Sequence, residues 1–283
     1  MPVQRTATQA STPPEVTIGM PVYNGDVHLV AAIESLLAQS FTDFELLISD
    51  NASTDGTARI CEDYAARDSR VRYIRQSRNV GATANWNLVA RAATGRYFKW
   101  AAANDVVPPL MLEHAVETLR SHPDIALCYG LTKLIDDRGN VLGVHEADPE
   151  ILDAQPSVRF ERLLNELVWN NAQAGLIRTS ALRRTRFDRD YIDGDMVLMA
   201  ELVLSGGFRK LHEIFLHRRM DKGSATRFLS DSERQDFLVP GSSGRPAPVL
   251  TRHLDRFFSV WRASIPWSEK WRALRYVLRT TYW

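Results

Sequence analysis

The sequence predicts an α/β fold in which an open, mostly parallel sheet carries helices on both faces. Over roughly the first hundred residues, strand-like apolar runs alternate with helical patterns, in the order β-α-β-α-β-α-β. Hydrophobic residues make up 45% of the 283-residue chain, which is ample for a sizeable core. The first two predicted strands end in polar turns, and parallel sheets bind ligands at the carboxyl ends of their strands. We therefore expect a ligand site at that edge.

The predicted elements follow from the apolar runs and the turns that end them. Residues 16–24 and 44–51 are strand-like runs that close in a proline turn and an acidic turn, and residues 27–40 between them have the period of a helix. Ser53 or Asp55 can cap the next helix, which runs to about residue 67. The later predicted elements are strands at 71–75, 97–101, 125–134 and 173–178 and helices at 83–93, 108–121, 160–169 and 195–204.

Charge and cysteine content exclude several classes of protein. A formal net charge of +1 gives no global field that would gather nucleic acid. Cys61 and Cys128, the only cysteines, are far apart in the sequence, so neither a disulfide framework nor a zinc site is indicated and a reducing cytoplasm fits. No apolar run approaches the roughly 20 residues that cross a bilayer, so we expect a soluble or peripheral cytoplasmic protein.

The chain is predicted to have a main domain and a helical tail. Residues 240–246 are rich in Pro, Gly and Ser and form the clearest linker, and beyond them aromatic residues recur at helical spacing among basic ones. Such stripes usually pack on a core. The alternative is a pair of basic, tryptophan-bearing helices on the inner face of an anionic membrane. The predicted divisions are a disordered leader at 1–14, a main domain at 15–235 with halves at 15–107 and 108–235, and a linker and tail at 236–283.

Several motifs occur together in one order and spacing. They are Pro21-Val22-Tyr23-Asn24, the segment 50–57 (Asp-Asn-Ala-Ser-Thr-Asp-Gly-Thr), Asn79-Val80-Gly81 with Asn87, and Gly95-Arg96-Tyr97 leading to Asn104-Asp105. On these motifs the chain resembles family 2 glycosyltransferases of the GT-A fold over about residues 16–225. The resemblance implies inverting transfer of a sugar from a nucleotide-diphospho-sugar, of the UDP or dTDP type, to a hydroxyl of a glycan, a glycolipid or a natural product.

The resemblance also implies which residues hold the nucleotide. At the end of a strand, the Asp50 carboxylate can accept from the imide N–H of uracil, although a turn or capping role is the alternative. Gly81 permits close backbone approach or a positive φ, and an ordinary turn with a satisfied Asn87 is again the alternative. The predicted nucleotide-binding residues are Pro21, Val22, Tyr23, Asn24, Asp50, Arg78, Gly81, Asn87, Asn104 and Asp105.

The metal motif departs from the family pattern. Relatives typically end the fourth strand in Asp-x-Asp-Asp, whose carboxylates hold Mn²⁺ or Mg²⁺ against the diphosphate. This chain has Ala102, Ala103, Asn104 and Asp105 at those positions, so only the last keeps its charge.

A second departure lies later in the chain. Relatives often carry Arg-Arg-x-His, whereas this chain has Asp221 in place of the histidine. One interpretation is a divalent cation held by Asp105 and Asp221. The other is that no metal is needed, because a neighbouring cation neutralises the diphosphate directly. The candidate cations are Arg218, Arg219 and Lys222.

Transfer to a hydroxyl needs a base. An acceptor hydroxyl is a poor nucleophile near neutral pH, so a carboxylate has to take its proton during attack. Asp195 aligns with the family's usual base, and a helix N-terminus favours its ionised form. The alternatives are that Asp195 is a plain N-cap or that Asp193 is the base. Trp100, Trp169 and Asn170 are candidates for contact with a sugar.

Two rival functions and one protein partner stay open at this point. A catalytically impaired nucleotide-sugar-binding protein on the same fold would explain why Ala102, Asn104 and Asp221 stand where relatives have ligands. An ordinary Rossmann oxidoreductase is disfavoured, because no Gly-x-Gly-x-x-Gly follows the first strand. A homodimer is the protein partner that the sequence leaves open.

Overall fold

The computed structural model describes residues 13–220, 229–242 and 248–281. One sheet of eight strands lies at its centre. The strands are β1 (Val16–Val22), β2 (Phe44–Asp50), β3 (Val71–Arg75), β4 (Tyr97–Trp100), β5 (Ile125–Ile135), β6 (Val141–His145), β7 (Leu176–Arg178) and β8 (Gly207–Arg219). Their order in the sheet is β3-β2-β1-β4-β7-β5-β6, with β8 beside β5.

The first four strands form one parallel part of the sheet, and β5 and β8 form a second parallel pair. β1 pairs in parallel with β2 and β4, and β2 pairs in parallel with β3. β7 then joins β4 to β5 in antiparallel pairings. The carboxyl ends of β1, β2 and β4 therefore lie along one edge of the sheet.

Helices cover both faces of the sheet, as predicted. Residues of α1, α2 and α4 form one buried apolar cluster against it, and residues of α3, α5, α7, α9 and α10 contribute to the other. The fold class predicted from the sequence is therefore confirmed. The helices are α1 (Asp26–Leu37), α2 (Thr57–Arg67), α3 (Ala82–Arg91), α4 (Met111–Ser121), α5 (Pro156–Glu166), α6 (Thr179–Leu182), α7 (Gly194–Ser205), α8 (Asp231–Leu238), α9 (Val249–Arg262) and α10 (Trp267–Thr281), with a 3₁₀ turn at Asn171–Ala174.

Two strands between residues 108 and 235, β6 and β8, were not predicted from the sequence. β8 has 13 residues, many of them charged and partly exposed, and its pairing with β5 is interrupted by register shifts, so no regular alternation marks it. β6 is an edge strand with a largely exposed pattern. The predicted strand at 173–178 shortens to β7, because a 3₁₀ turn takes up its first residues.

The tail packs on the main body. Val260 of α9 and Leu274 and Val277 of α10 are buried in the same cluster as α5 and α7. α8 runs across the predicted division at 235/236. Of the predicted leader only Pro13 and Pro14 are among the described residues, and the linker lies partly outside them. Within the described ranges, no helix combines the length and hydropathy needed to span a membrane.

Candidate active site

A cavity of about 1270 Å³ opens at the carboxyl ends of β1 and β4. Its walls come from the turns after these two strands, from segments 168–174 and 188–196, and from the end of β8. Residues distant in sequence meet there because parallel strands end at a common edge. The predicted nucleotide-binding and catalytic residues that line the cavity are Pro21, Val22, Tyr23, Asn24, Asn104, Asp105 and Asp195, and the alternative base Asp193 lines it as well.

The turn after β1 is fixed by the loop after β2. The backbone N–H of Asn24 donates to the Ser53 hydroxyl at 2.9 Å, and Asn24 Oδ1 accepts from the backbone N–H of Thr54 at 2.8 Å. Asn24 itself has φ 49°, a conformation that asparagine tolerates better than most residues. Tyr23 remains 42% exposed, so its ring is available to a planar ligand at the cavity edge.

Asp50 does not reach the cavity, contrary to the prediction. Its side chain is fully buried: Oδ1 accepts from the Ser53 backbone N–H at 2.8 Å, and Oδ2 accepts from the Tyr73 hydroxyl at 2.8 Å. Arg75 Nε lies 3.6 Å from Oδ2. The carboxylate orders the turn after β2, which is the alternative role that the sequence left open.

The turn at 78–81 is held by an amide network behind the cavity wall. Asn51 Oδ1 accepts from the backbone N–H of Val80 at 2.8 Å, and Asn51 Nδ2 donates to Asn79 Oδ1 at 2.9 Å. Arg78 is exposed, and neither it nor Gly81 is among the residues that line the cavity. The structure thus brings this predicted turn near the site but does not place its side chains in it.

Gly81 and Asn87 support neighbouring elements. Gly81 has φ 91°, and a Cβ added there would lie 2.5 Å from the carbonyl oxygen of Leu238 at the end of α8. Asn87 Nδ2 donates to the Asp188 carbonyl at 2.9 Å, and its Oδ1 accepts from the Asp188 N–H at 3.0 Å. The close approach expected at Gly81 is therefore to α8, and Asn87 fixes the backbone of the 188–196 wall.

Asp105 is tied to β8. Its Oδ1 accepts from the backbone N–H of Arg219 at 2.9 Å, and the Arg219 guanidinium donates to the carbonyls of Asn104, Asp136 and Asp137. Burial raises the pKa of Asp105 to about 6, although the Arg219 N–H and nearby cations lower it. Arg219 is thus engaged in holding the turn, and only part of the Asp105 carboxylate is available to a ligand.

Lys99 is a cavity residue that the sequence analysis missed. It lies in β4, its side chain is buried, and its ammonium donates to the carbonyl of Ala174. Burial lowers the pKa of Lys99 to about 8, while the charge of Asp105 raises it. A lysine within a largely buried strand was the available signal, since such residues are rarely buried without a charged partner.

The described residues offer a divalent cation few protein ligands. No group of three or more His, Cys, Asp and Glu side chains within the described ranges is arranged to hold a metal ion. Asp105 supplies one carboxylate, and Arg218, whose guanidinium contacts Asn171 Oδ1 at 2.5 Å, lines the same cavity. Asp221 lies outside the described residues. This donor set fits a cation held jointly with substrate phosphates rather than a complete protein cage.

Asp195 stands in the first turn of α7 and lines the cavity. Asn170 Nδ2 donates to Asp195 Oδ2 at 2.8 Å. Burial raises the pKa of Asp195, the Asn170 hydrogen bond lowers it, and the charge of Asp193 raises it. Asp193, not Asp195, occupies the N-cap position, and its exposed carboxylate accepts from Arg252 Nη1 at 3.0 Å.

A second carboxyl, Asp188, faces the same cavity and was also missed. Its Oδ1 accepts from Gln173 Nε2 at 3.3 Å, and Gln173 Oε1 accepts from Asn170 Nδ2 at 3.3 Å. An amide chain therefore connects Asp188 to Asp195. Burial, and then the charge of Asp195, raise the pKa of Asp188 to about 8.

The tail contributes to the cavity through α9. Asp255 accepts from Arg186 at 2.6 Å, from Arg189 at 3.1 Å and from the Tyr191 hydroxyl at 2.5 Å. Arg189 and Tyr191 line the cavity, as does Arg256 of α9. The sequence could not indicate this contribution, because nothing in the aromatic pattern of the tail specifies its docking site.

Of the two candidate tryptophans, one is structural. Trp100 is buried and donates from Nε1 to the Trp86 carbonyl at 3.1 Å. Trp169 is exposed at the cavity edge, where its ring stacks on His145 with a centroid separation of 4.8 Å. Of these two rings, only that of Trp169 is exposed.

Comparisons with known proteins support a transferase. Chondroitin synthase of Escherichia coli is 34% identical to this chain over 129 residues, which cover 46% of this chain and 19% of that protein. The putative glycosyltransferase EpsE of Bacillus subtilis (strain 168) is 39% identical over 110 residues, which cover 38% of this chain and 40% of that protein. The chain thus matches less than half the length of either relative.

Solved structures share the fold. TarS (residues 1–349) of S. aureus in complex with UDP-GlcNAc has a TM-score of 0.67 and 17% identity, covering 95% of this chain and 72% of that one. The mannosyltransferase PcManGT from Pyrobaculum calidifontis in complex with GDP-Man and Mn²⁺ has a TM-score of 0.55 and 15% identity, covering 95% and 76%. The fold is therefore that of the GT-A glycosyltransferases.

The family follows from the sequence match. The profile of glycosyl transferase family 2 matches residues 17–191, which is more than half of the chain. The chain belongs to glycosyl transferase family 2, a family of glycosyltransferases.

Proposed function

We propose that this protein is an inverting glycosyltransferase that moves a sugar from a nucleotide-diphospho-sugar, of the UDP or dTDP type, to an acceptor hydroxyl. The observation that carries the proposal is that Asp105, after β4, and Asp195, in α7, line one cavity. The reaction needs charge compensation at the departing diphosphate and a base at the acceptor hydroxyl. Family membership and the UDP-GlcNAc complex of TarS support the donor class.

The donor side is formed by the turns after β1 and β4. The exposed ring of Tyr23 provides a surface on which a base can stack, beside Asn24. Asn104 offers an amide to a ribose hydroxyl. Arg218 lies in the same cavity and can donate charge-assisted hydrogen bonds to the diphosphate.

A divalent cation, Mn²⁺ or Mg²⁺, belongs to this proposal. Asp105 and Asn104 would hold it together with the diphosphate, because Mg²⁺ is commonly bound by one or two carboxylates plus substrate phosphates. The ion would supply positive charge against the leaving group. The Mn²⁺ complex of PcManGT supports a cation in this fold.

The acceptor side is formed by α7 and the 168–174 segment. Asp195 takes the proton of the acceptor hydroxyl as its oxygen attacks the anomeric carbon opposite the diphosphate, which inverts the configuration. Asn170 holds one oxygen of Asp195 through its amide nitrogen. Asn170 Oδ1 is buried and has no hydrogen-bond partner within the described residues, so it can accept from a second hydroxyl of the acceptor. With Trp169 nearby, these groups fit a glycan, a glycolipid or a small natural product.

Replacement of Asp195 by Asn tests the proposal. Because Asn retains the shape but cannot accept the proton, we expect turnover to fall by roughly 10²- to 10⁴-fold while nucleotide-sugar binding is preserved. Transfer rates over a panel of acceptors and donor binding by calorimetry are the measurements. Asp193→Asn is the matched control, since this exposed aspartate lies at the same helix start.

The outcomes distinguish the rival function and the rival base. If Asp193→Asn lost turnover and Asp195→Asn kept it, the base assignment would be wrong. If the unaltered protein bound UDP-sugars but transferred none to any acceptor, it would be the catalytically impaired binding protein that Ala102 and Asn104 suggest.

A further inference from the structure

The outer side of α9 carries an unpartnered apolar face. Leu250, Leu254, Phe258 and Trp261 recur at spacings of four, four and three residues, which places them on one side of a helix. Each is between 46 and 62% exposed. The opposite side of the helix, with Val260 buried, makes the contact with the main body.

The face continues on α10. Trp267, Trp271 and Leu278 are exposed there, and the rings of Trp261 and Trp267 meet edge to face with centroids 5.7 Å apart. The two helices therefore present one continuous surface. We call it the tail face: Leu250, Leu254, Phe258, Trp261, Trp267, Trp271 and Leu278.

The tail face is not needed to attach the tail. Buried Leu274 and Val277 anchor α10, and Glu269 accepts from both the backbone N–H and the hydroxyl of Ser157 in α5. Asp255 anchors α9 through Arg186. Monomeric proteins rarely expose contiguous apolar patches of this kind without an interaction that covers them.

The charges around the tail face have one sign. Between residues 249 and 281 the chain has seven Lys and Arg and two acidic residues. Both acids, Asp255 and Glu269, are buried and engaged in the contacts that attach the helices. The exposed charges of these helices are therefore positive. They include Arg262, Arg272, Arg275 and Arg279.

Lys270 shows how the basic and aromatic groups combine. Its ammonium lies 4.9 Å from the centroid of the Trp267 ring and donates to the Trp261 carbonyl at 2.8 Å. Tryptophan and basic residues side by side on an exposed helical face are typical of helices that lie in the interface of an anionic bilayer.

We propose that the tail face docks on the surface of an anionic lipid bilayer. Each Lys or Arg near such a surface adds electrostatic attraction, and the aromatic rings enter the headgroup region. α10 has 15 residues, so at about 1.5 Å per residue it is too short to cross a bilayer and lies along the surface. A second copy of this chain fits less well, because a twofold contact through this face would place its positive charges against each other.

Vesicle cosedimentation of the full chain tests the proposal without donor or acceptor, so its outcome is independent of the proposed function. We expect binding to phosphatidylcholine vesicles with about a third phosphatidylglycerol, little binding to pure phosphatidylcholine, and release of most protein in about 1 M salt, where the Debye length is about 3 Å. The double variants Trp267→Ser/Trp271→Ser and Arg275→Glu/Arg279→Glu should each reduce binding roughly tenfold or more.

A matched control separates this face from exposed apolar residues in general. Val141→Ser/Leu142→Ser removes two exposed apolar side chains from β6 and should leave vesicle binding unchanged. Melting temperatures establish that each variant folds. Equal vesicle binding by the tail variants and the control would overturn the proposal. So would a dimer, detected by light scattering, that depends on Trp267 and Trp271 in a protein that ignores vesicles.

Discussion

Asp188 and Asp195 show how two carboxyls in one cavity can take different states. Burial and the neighbouring charge raise the pKa of Asp188 to about 8, so this group holds its proton near neutral pH. A neutral Asp188 does not repel an ionised Asp195, and a base has to be ionised. The amide chain through Asn170 and Gln173 keeps both carboxyls in place.

The protonation of Asp188 predicts a pH-dependent effect of Asp188→Asn. The pKa of Asp188 is about 3.8 in the unfolded chain and about 8 in the folded protein. Between these two pH values only the folded state keeps the proton on Asp188. The contribution of Asp188 to the free energy of unfolding therefore falls as pH rises. Asn does not titrate. The melting temperature of the variant relative to the unaltered protein should therefore increase between pH 5 and pH 8, by on the order of a few degrees.

Asp190→Asn is the control for this measurement. Asp190 is an exposed aspartate two residues further on, and its removal should give no comparable trend. A constant difference between Asp188→Asn and the unaltered protein across the pH range would show that Asp188 is ionised in the folded state.

At the residue scale, motifs indicated the turn after β1, Asn104, Asp105 and Asp195, and the structure brings all of them to the lining of one cavity. They misplaced Asp50. A carboxylate at the end of a strand can point to either side of that strand. Hydrogen bonds from Ser53 and Tyr73 set the direction of Asp50, and the positions of these two donors depend on the fold.

At the scale of elements, α8 forms part of the cavity wall and packs against the turn before α3. Arg234 and Phe237 of α8 line the cavity, and Gln235 Nε2 donates to the Asp190 carbonyl at 3.0 Å. The helix is capped by Ser230 and Glu233, which bond reciprocally. Its carboxyl end lies on Gly81, where a side chain has no room.

Gly81→Ala therefore tests the docking of α8. The added Cβ would meet the Leu238 carbonyl at 2.5 Å, so we expect α8 to shift, nucleotide affinity to fall, and stability to drop by about 2–4 kcal/mol. Thermal unfolding and nucleotide titration measure the two effects.

Gly139→Ala supplies the comparison. Gly139 has φ 86°, close to the value at Gly81, but a Cβ there meets nothing within 4 Å. The Gly139→Ala substitution should lower the free energy of unfolding only by the backbone strain, about 1–2 kcal/mol, and leave nucleotide affinity unchanged. Because Gly81 also has ψ 159°, a backbone conformation nearly confined to glycine, strain alone can account for a larger loss of stability there. Unchanged nucleotide affinity in Gly81→Ala is therefore the outcome that would contradict the role of the α8 contact.

At the scale of the whole molecule, the cavity is a balance of charges brought from distant segments. Lys99 comes from β4, Arg218 from β8 and Arg256 from the tail, and they line the cavity together with Asp105 and Asp195. Such a balance does not favour a cation bound in advance. It favours one that arrives with the negative charge of a diphosphate.

The protein should therefore bind a divalent cation appreciably only when a nucleotide is present. We expect calorimetry to detect little Mn²⁺ or Mg²⁺ binding to the protein alone, clear binding with UDP present, and a fall in activity of roughly tenfold or more on chelation. Asp105→Asn should remove the nucleotide-linked binding. Activity that is the same after exhaustive chelation as with added Mn²⁺ would instead assign the charge compensation to Arg218 and its neighbours.

The sequence by itself determined the α/β class, the alternation of strands and helices over the first hundred residues and the helices of the tail, and its motifs indicated Asp195 and the turns after β1 and β4. These depend on local periodicity and on motifs of adjacent residues. Tertiary structure decided the direction of Asp50, the presence of Lys99 and Asp188 in the cavity, the path of β8 and the docking of α9. Those features depend on contacts between residues far apart in sequence, and periodicity within one segment carries no information about its partner.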